Sequence, residues 1–220
     1  MKLFIDSADH KKIAELAQYN VIDGVTINPT LLKVQQESPI KIVQELVTIL
    51  PDAEINLQVT DPEPSKVYDQ ACQIAQLAEN MVVKIPCNKQ YMPVIAKLIG
   101  DGIPVNATLV FSASQALQLA KMGVNYISLF VGRLYDVGVD GFEIAAAIQQ
   151  MLDTYDYDSE LLVASVRKKE DVDAALAIHA DAITIPPAIF AQLIEHKLSD
   201  EGLEKFKLDW TQGPHGQLLE

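Results

Sequence analysis

Eight short apolar runs recur along the chain, each followed by a segment of helical periodicity, and this alternation constrains the fold more than any other feature. The runs are Lys2–Asp6, Gly24–Asn28, Ile55–Thr60, Val82–Pro86, Pro104–Val110, Tyr126–Val131, Leu161–Val166 and Ala182–Pro186. Between them lie amphipathic patterns. Ser7 is placed to cap a helix bearing Ile13, Leu16 and Ala17 on one face. Ser38 and Pro39 open another, with Ile42, Val43, Leu46 and Ile49. Further helices are expected at Pro62–Glu79, Met92–Gly100, Ser112–Met122, Gly141–Tyr155, Lys168–His179 and Pro187–His196. Strands alternating with helices build a parallel sheet with right-handed crossovers. Eight such units predict a closed (β/α)8 TIM barrel. An open doubly wound sheet is the alternative, but the chain has no G-x-G-x-x-G or Walker A motif to support its nucleotide-binding form.

No long Pro/Gly/Ser-rich linker divides the 220 residues, so residues 1–220 are read as a single barrel domain. The amphipathic segment 199–212 supplies an additional C-terminal helix. Its apolar Leu203, Phe206 and Trp210 would cover its own barrel or dock on a neighbouring subunit. The net charge of −13 argues against nucleic acid and anionic membrane as partners. Two cysteines, Cys72 and Cys87, are too few for a disulfide scaffold and lack metal-site spacing. With no signal-peptide pattern and no apolar run long enough to span a bilayer, a cytoplasmic protein is expected.

Side chains along a strand point alternately to opposite faces. One parity is wholly apolar: Leu3 and Ile5, Val25 and Ile27, Ile55 and Leu57, Val83 and Ile85, Val105, Ala107 and Leu109, Ile127 and Leu129, Leu162 and Ala164, Ile183 and Ile185. That face is expected to meet the helices. The other holds Phe4, Asp6, Thr26, Asn28, Asn56, Gln58, Val82, Lys84, Asn106, Thr108, Tyr126, Ser128, Phe130, Val163, Ser165, Thr184 and Pro186. This lumen face is mostly polar, whereas barrel interiors are usually filled with branched apolar side chains. Either the polar groups satisfy one another, or they line a ligand site. Asp6, Asn28, Gln58, Lys84, Thr108, Phe130, Ser165 and Pro186 fall near the C-terminal strand ends, the face on which barrel enzymes work.

Lys84 stands out. It is the one lysine of fifteen flanked by two apolar residues on each side, in Met81-Val82-Val83-Lys84-Ile85-Pro86. A buried cation must be paired, neutralised or used. One reading is a lysine that snorkels or pairs with a carboxylate. The other is an amine whose pKa desolvation lowers until it can attack a carbonyl and form a Schiff base. Asp6 would hold the ammonium form and is assigned instead to a substrate hydroxyl or to proton transfer. The two arginines, Arg133 and Arg167, follow the sixth and seventh strands, where barrels often bind phosphate, and Ser165 lies beside them. His10, His179, His196 and His215 lie off the strand ends and have no ligand spacing, so metal chemistry is not expected.

With these residues in view the chain resembles the transaldolase family, in particular its small-subunit branch, which includes fructose-6-phosphate aldolases. The resemblance runs from Leu3-Phe4-Ile5-Asp6 to Leu208-Asp209-Trp210. It is carried by Gly24-Val25-Thr26-Ile27-Asn28-Pro29-Thr30, Val83-Lys84-Ile85-Pro86, Asn106-Ala107-Thr108-Leu109-Val110-Phe111 and Ala164-Ser165-Val166-Arg167. It implies a class I aldolase mechanism without a cofactor, acting on a sugar phosphate. Lys84 would form the Schiff base and Asp6 would move the proton at the breaking bond between C3 and C4. Asn28, Asn106 and Ser128 would contact the dihydroxyacetone portion, with Thr26 and Phe130 near it. Arg133, Ser165 and Arg167 would hold the phosphate. It also implies a homo-oligomer, typically a decamer of two pentamers, with the last helix reaching a neighbour.

One position departs from the transaldolase pattern. Transaldolases carry a glutamate that works through a water where this chain has Gln58, with Thr108 near it. An amide can orient water but cannot take its proton. The aldolase branch also has glutamine there, usually with a tyrosine on the sixth strand. This chain has Phe130 at that place, as transaldolases do. Gln58 favours the aldolase; Phe130 and the Asn106–Phe111 segment favour the transaldolase. A sugar-phosphate-binding barrel with weak turnover is the reading from a different class.

Overall fold

The computed structural model describes residues 1–212. Eight parallel strands close into a barrel in sequence order: β1 (Lys2–Asp6), β2 (Gly24–Ile27), β3 (Glu54–Gln58), β4 (Met81–Pro86), β5 (Val105–Val110), β6 (Tyr126–Phe130), β7 (Glu160–Ala164) and β8 (Ala182–Ile185). Closure through β1 and β8 rules out the open sheet. The helices are α1 (His10–Ala17), α2 (Pro29–Lys33), α3 (Pro39–Ile49), α4 (Pro64–Ala75), α5 (Met92–Gly100), α6 (Ala113–Met122), α7 (Val131–Tyr135), α8 (Gly141–Tyr155), α9 (Lys169–Ala177), α10 (Pro187–Gln192) and α11 (Lys197–Gln212). The tail from 213 to 220, with His215, lies outside the described residues.

Local chemistry sets these boundaries. Ser38 accepts from the Lys41 N–H ahead of Pro39, so α3 starts where a missing proline N–H costs nothing. Gly123, at φ +81°, ends α6 in the left-handed turn that glycine adopts most readily. The start of α1 differs from expectation. Asp9, not Ser7, caps it, accepting from the N–H groups of Lys11 and Lys12, while Ser7 accepts from the Asp9 N–H. A carboxylate beside two free helix donors outcompetes a hydroxyl two residues further out.

The core has two parts. A continuous shell between strands and helices holds Ile5, Val25, Ile27, Ile55, Val83, Ile85, Ile127, Leu129, Ile183 and Ile185, all fully buried. Inside the barrel, Phe4, Val82, Tyr126, Leu162, Ala164 and Ala182 form a separate apolar plug. Phe4 and Tyr126 meet edge to face at 5.6 Å. The Phe4 ring fits because β2 begins with a glycine: a Cβ at Gly24 would sit 3.0 Å from the ring and 2.7 Å from the Glu54 carbonyl oxygen.

The plug overturns the expected facing of β7. Leu162 and Ala164 point into the lumen, while Leu161 and Val163 join the outer shell. Every residue from Leu161 to Ala164 is apolar, so hydropathy cannot choose the parity, and the polar Ser165 suggests the wrong one. Ser165 instead adopts φ +61° just past the strand end. Leu109, expected against the helices, also leaves the pleat. It has φ +58° at the register shift between Ala107 and Val110, and Val110 takes the buried outer place.

Candidate active site

A cavity of about 400 Å³ opens at the C-terminal end of the barrel. Its lining includes Asp6 from β1, Asn28 and Leu31 after β2, Gln58 from β3, Lys84 from β4, Leu109 from β5, Phe130 from β6 and Arg133 after it. Ala164, Ser165 and Thr184 complete it. Seven of the residues expected at a site thus line one space: Asp6, Asn28, Gln58, Lys84, Phe130, Arg133 and Ser165. Each sits in the C-terminal half of its strand or just past it, so closing the barrel brings together residues far apart in sequence.

Lys84 is 1% exposed, among the largest fully buried side chains. Burial pushes its ammonium below the ordinary lysine range, and the negative charge of Asp6 works against that shift. Asp6 is affected in the opposite sense. Burial raises its carboxyl, while the Lys84 charge and a hydrogen bond from Thr26 pull it down. The pair therefore leans toward a free amine beside a carboxyl that readily holds a proton.

Thr26 and Thr184 set the carboxylate. Thr26 Oγ1 donates to Asp6 Oδ1 at 2.9 Å and lies 2.7 Å from Thr184 Oγ1. With the Thr26 proton committed to Asp6, Thr184 must donate to Thr26, so the chain has one direction. Thr26 is fully buried and turned to Asp6, below the cavity wall. Thr184 was not among the expected site residues, although its place on the polar parity of β8 marked it.

A second chain crosses the floor. Ser128 Oγ donates to Asn106 Oδ1 at 2.6 Å, and Asn106 Nδ2 donates to Asn56 Oδ1 at 2.8 Å. All three residues are fully buried, and Asn106 pairs in register with Lys84. Asn56 Nδ2 and Thr108 Oγ1 are buried polar atoms with no partner among the described residues. Asn56, on the lumen face of β3, is thus structurally tied to Asn106. Asn28 divides its work: its Oδ1 accepts from the Leu31 N–H and caps α2, a five-residue helix too short to show in hydropathy.

At the rim, Arg133 lies 5.2 Å over the Phe130 ring, and Phe130 meets Phe111 edge to face at 6.0 Å. Arg133 and Ser165 line the cavity, but Arg167 stands outside it, both terminal nitrogens on the carboxylate of Asp136. Leu109 and Ser165 each hold a left-handed backbone at this mouth. Such strain persists only where surrounding structure imposes it, and it gathers at working sites.

Residues 3–213 match the model of the Transaldolase/Fructose-6-phosphate aldolase family. The chain belongs to this family. A relative from Caulobacter sp. (strain K31) described as a "probable transaldolase" is 40% identical over 211 residues, covering 96% of this chain and 97% of its own. A second "probable transaldolase", from Brucella anthropi, is 41% identical over 212 residues with the same coverage. Among solved structures, a mandelate oxidase mutant aligns with TM-score 0.59 at 13% identity, covering 92% of this chain and 69% of that one. That last likeness concerns the barrel alone. As a member of the transaldolase/fructose-6-phosphate aldolase family, the protein is an enzyme of the aldolase/transaldolase type acting on sugar phosphates. Among the described residues, no helix is long and apolar enough to cross a membrane.

Proposed function

We propose that the protein is a Schiff-base aldolase that cleaves fructose 6-phosphate between C3 and C4. The observation carrying this reading is the fully buried Lys84 amine, shifted toward its neutral form, opening on a cavity lined by oxygens and amides. The amine attacks the C2 carbonyl, and loss of water leaves an iminium. Asp6 takes the proton of the C4 hydroxyl as the C3–C4 bond breaks, its electrons flowing into the iminium. Glyceraldehyde 3-phosphate departs and an enamine remains on Lys84. Gln58 and Thr108 orient the water that protonates C3, and hydrolysis releases dihydroxyacetone and the free amine. Asn28, Asn106 and Ser128 hold the three-carbon unit, Thr26 holds Asp6, and Arg133, Ser165 and Arg167 hold the phosphate.

Phe130 at the mouth supports a second reading, in which the enamine is passed to erythrose 4-phosphate, as do relatives described as probable transaldolases. A coupled assay with and without erythrose 4-phosphate separates the two. Release of dihydroxyacetone without acceptor supports the aldolase; turnover only with acceptor supports the transferase. Saturable binding without product in either arm identifies a binding barrel and defeats both. Borohydride with fructose 6-phosphate should trap a three-carbon adduct on wild type and none on Lys84→Met. Gln58→Glu should raise transfer relative to release.

The reading includes a cytoplasmic homo-oligomer, a pentamer or decamer. Both cysteines are free thiols, which suits a reducing compartment. α11 buries no residue and displays Leu203 and Phe206 one turn apart, an apolar stripe suited to a neighbouring subunit. Sedimentation of wild type against a chain ending before α11 tests the oligomer.

A further inference from the structure

Asp136 directly follows α7, and its backbone N–H closes the helix end on the Leu134 carbonyl. Its two carboxylate oxygens take Nη1 and Nη2 of Arg167, one oxygen to each nitrogen. That occupies the outer edge of the guanidinium and leaves Nε–H on the inner edge. That edge packs closely against Gly132, where only a glycine fits. A Cβ at Gly132 would lie 2.8 Å from Arg167 Nε, 2.9 Å from Ser165 Oγ and 2.1 Å from the Ser165 carbonyl oxygen. Arg167 Nε and Ser165 Oγ thus lie side by side against Gly132, and of the two it is Ser165 that lines the cavity with Arg133.

Both partners are about half exposed, so the pair adds little to stability. Its geometric effect is larger. A flexible arginine gains specificity when its planar fork is fixed beforehand. Asp136 fixes it from outside, and its own carboxyl is held below the ordinary range by Arg167. We propose that Asp136 is a positioning residue for phosphate recognition: it clamps the Arg167 guanidinium so that Nε–H and Ser165 Oγ face a phosphate oxygen together. The inference rests on the sugar-phosphate reading above and extends it to a residue that does not line the cavity.

The test measures inorganic phosphate binding by calorimetry, and KM and kcat for fructose 6-phosphate, on wild type, Asp136→Ala and Asp136→Glu. Positioning predicts that Asp136→Ala weakens phosphate binding and raises KM about five-fold, with kcat changed less than about two-fold, and that Asp136→Glu recovers part of the loss. Tighter phosphate binding in Asp136→Ala would mean that Asp136 competes for Arg167, and would overturn the proposal. Unchanged binding, or no phosphate binding by wild type, would overturn it too. Borohydride trapping of dihydroxyacetone on Lys84 is read in parallel because that ketone has no phosphate. Trapping with unaltered phosphate affinity sinks only the role of Asp136. No trapping sinks the Schiff-base reading, whatever the phosphate data show.

Discussion

Two lysines at opposite ends of one barrel sit in opposite fields. Lys2, at the N-terminal end of β1, lies 2.6 Å from Tyr126 Oη, 2.9 Å from Glu160 and 3.7 Å from Glu54. Burial works against its charge, but the two glutamates outweigh burial and hold the ammonium above its ordinary value. Lys84, inside β4, is more deeply buried and faces Asp6, whose attraction does not offset the loss of solvent. Below lies an aromatic plug that seals the base; above lies the cavity. The same side chain is thus held as a cation at one end and biased toward the free amine at the other. Depth and the number of carboxylates within reach decide which.

The largest effect should come from Lys84→Met. Turnover should fall at least about a thousand-fold, since no other group supplies the covalent step. Stability should rise. Below the folded-state pKa of Lys84 the wild type holds a buried ammonium, a penalty that methionine removes. Between that pKa and 10.5 the unfolded chain binds a proton that the folded chain lacks, so wild-type stability climbs with pH. The mutant's advantage should therefore be greatest at low pH and shrink as pH rises. Thermal melts across pH check this; a mutant less stable at every pH would equate the two lysines and break the contrast.

Asp6→Asn comes next. Removing the charge that steadies the ammonium should lower the Lys84 pKa further. The acid limb of borohydride trapping should then move to lower pH, while turnover falls roughly 10²–10⁴-fold for want of a proton acceptor. An acid limb moved upward would show that the two groups do not interact as described. Folded Asp6 has a raised pKa, so its stabilising contribution is full below the ordinary carboxyl value of 3.8 and is lost as pH climbs through the folded value. The asparagine variant should accordingly be more stable than wild type at neutral pH.

A smaller effect is expected at Asn56. Asn56→Ala leaves the Asn106 amide donor unpartnered in the lumen, costing about 1–3 kcal/mol. Asn56→Thr, which keeps an acceptor, should recover part of that. Equal melting temperatures for both variants would show that Asn106 needs no anchor.

How legible these features were in sequence depended on the contrast between faces. Alternation exposed Lys84, Asp6, Gln58 and Asn106 because each interrupts an otherwise apolar strand pattern. It failed at β7, where both parities are apolar, and at Leu109 and Ser165, where a single left-handed residue resets the facing. No hydropathy rule carries a φ angle. The two five-residue helices α2 and α7 are too short for a period to show, and α7 carries Arg133. The place of Arg167 just after β7 is legible from sequence, but its turn toward Asp136 depends on a through-space partner 31 positions away.

The mildest test uses the base of the barrel. Lys2→Met removes the cation from Glu160, Glu54 and Tyr126. Because the Lys2 side chain is 38% exposed, water replaces much of what is lost, and the cost should be about 1 kcal/mol. In a chain this long that corresponds to roughly 2–4 °C in melting temperature. The pH dependence should run opposite to that of Lys84. A raised folded-state pKa means that the Lys2 contribution is fully present below 10.5 and disappears as pH climbs through the folded value. The gap between wild type and Lys2→Met should hold steady through neutral pH and close only in strong alkali. Tyr126 acts in the same sense, since burial and Glu54 raise its phenol and the folded state disfavours ionisation. Turnover should not change, because the plug of Phe4, Val82 and Leu162 separates this cluster from the cavity. A loss of turnover matching the loss of stability would mean that the plug transmits what happens at the base, and the two ends could no longer be treated as independent.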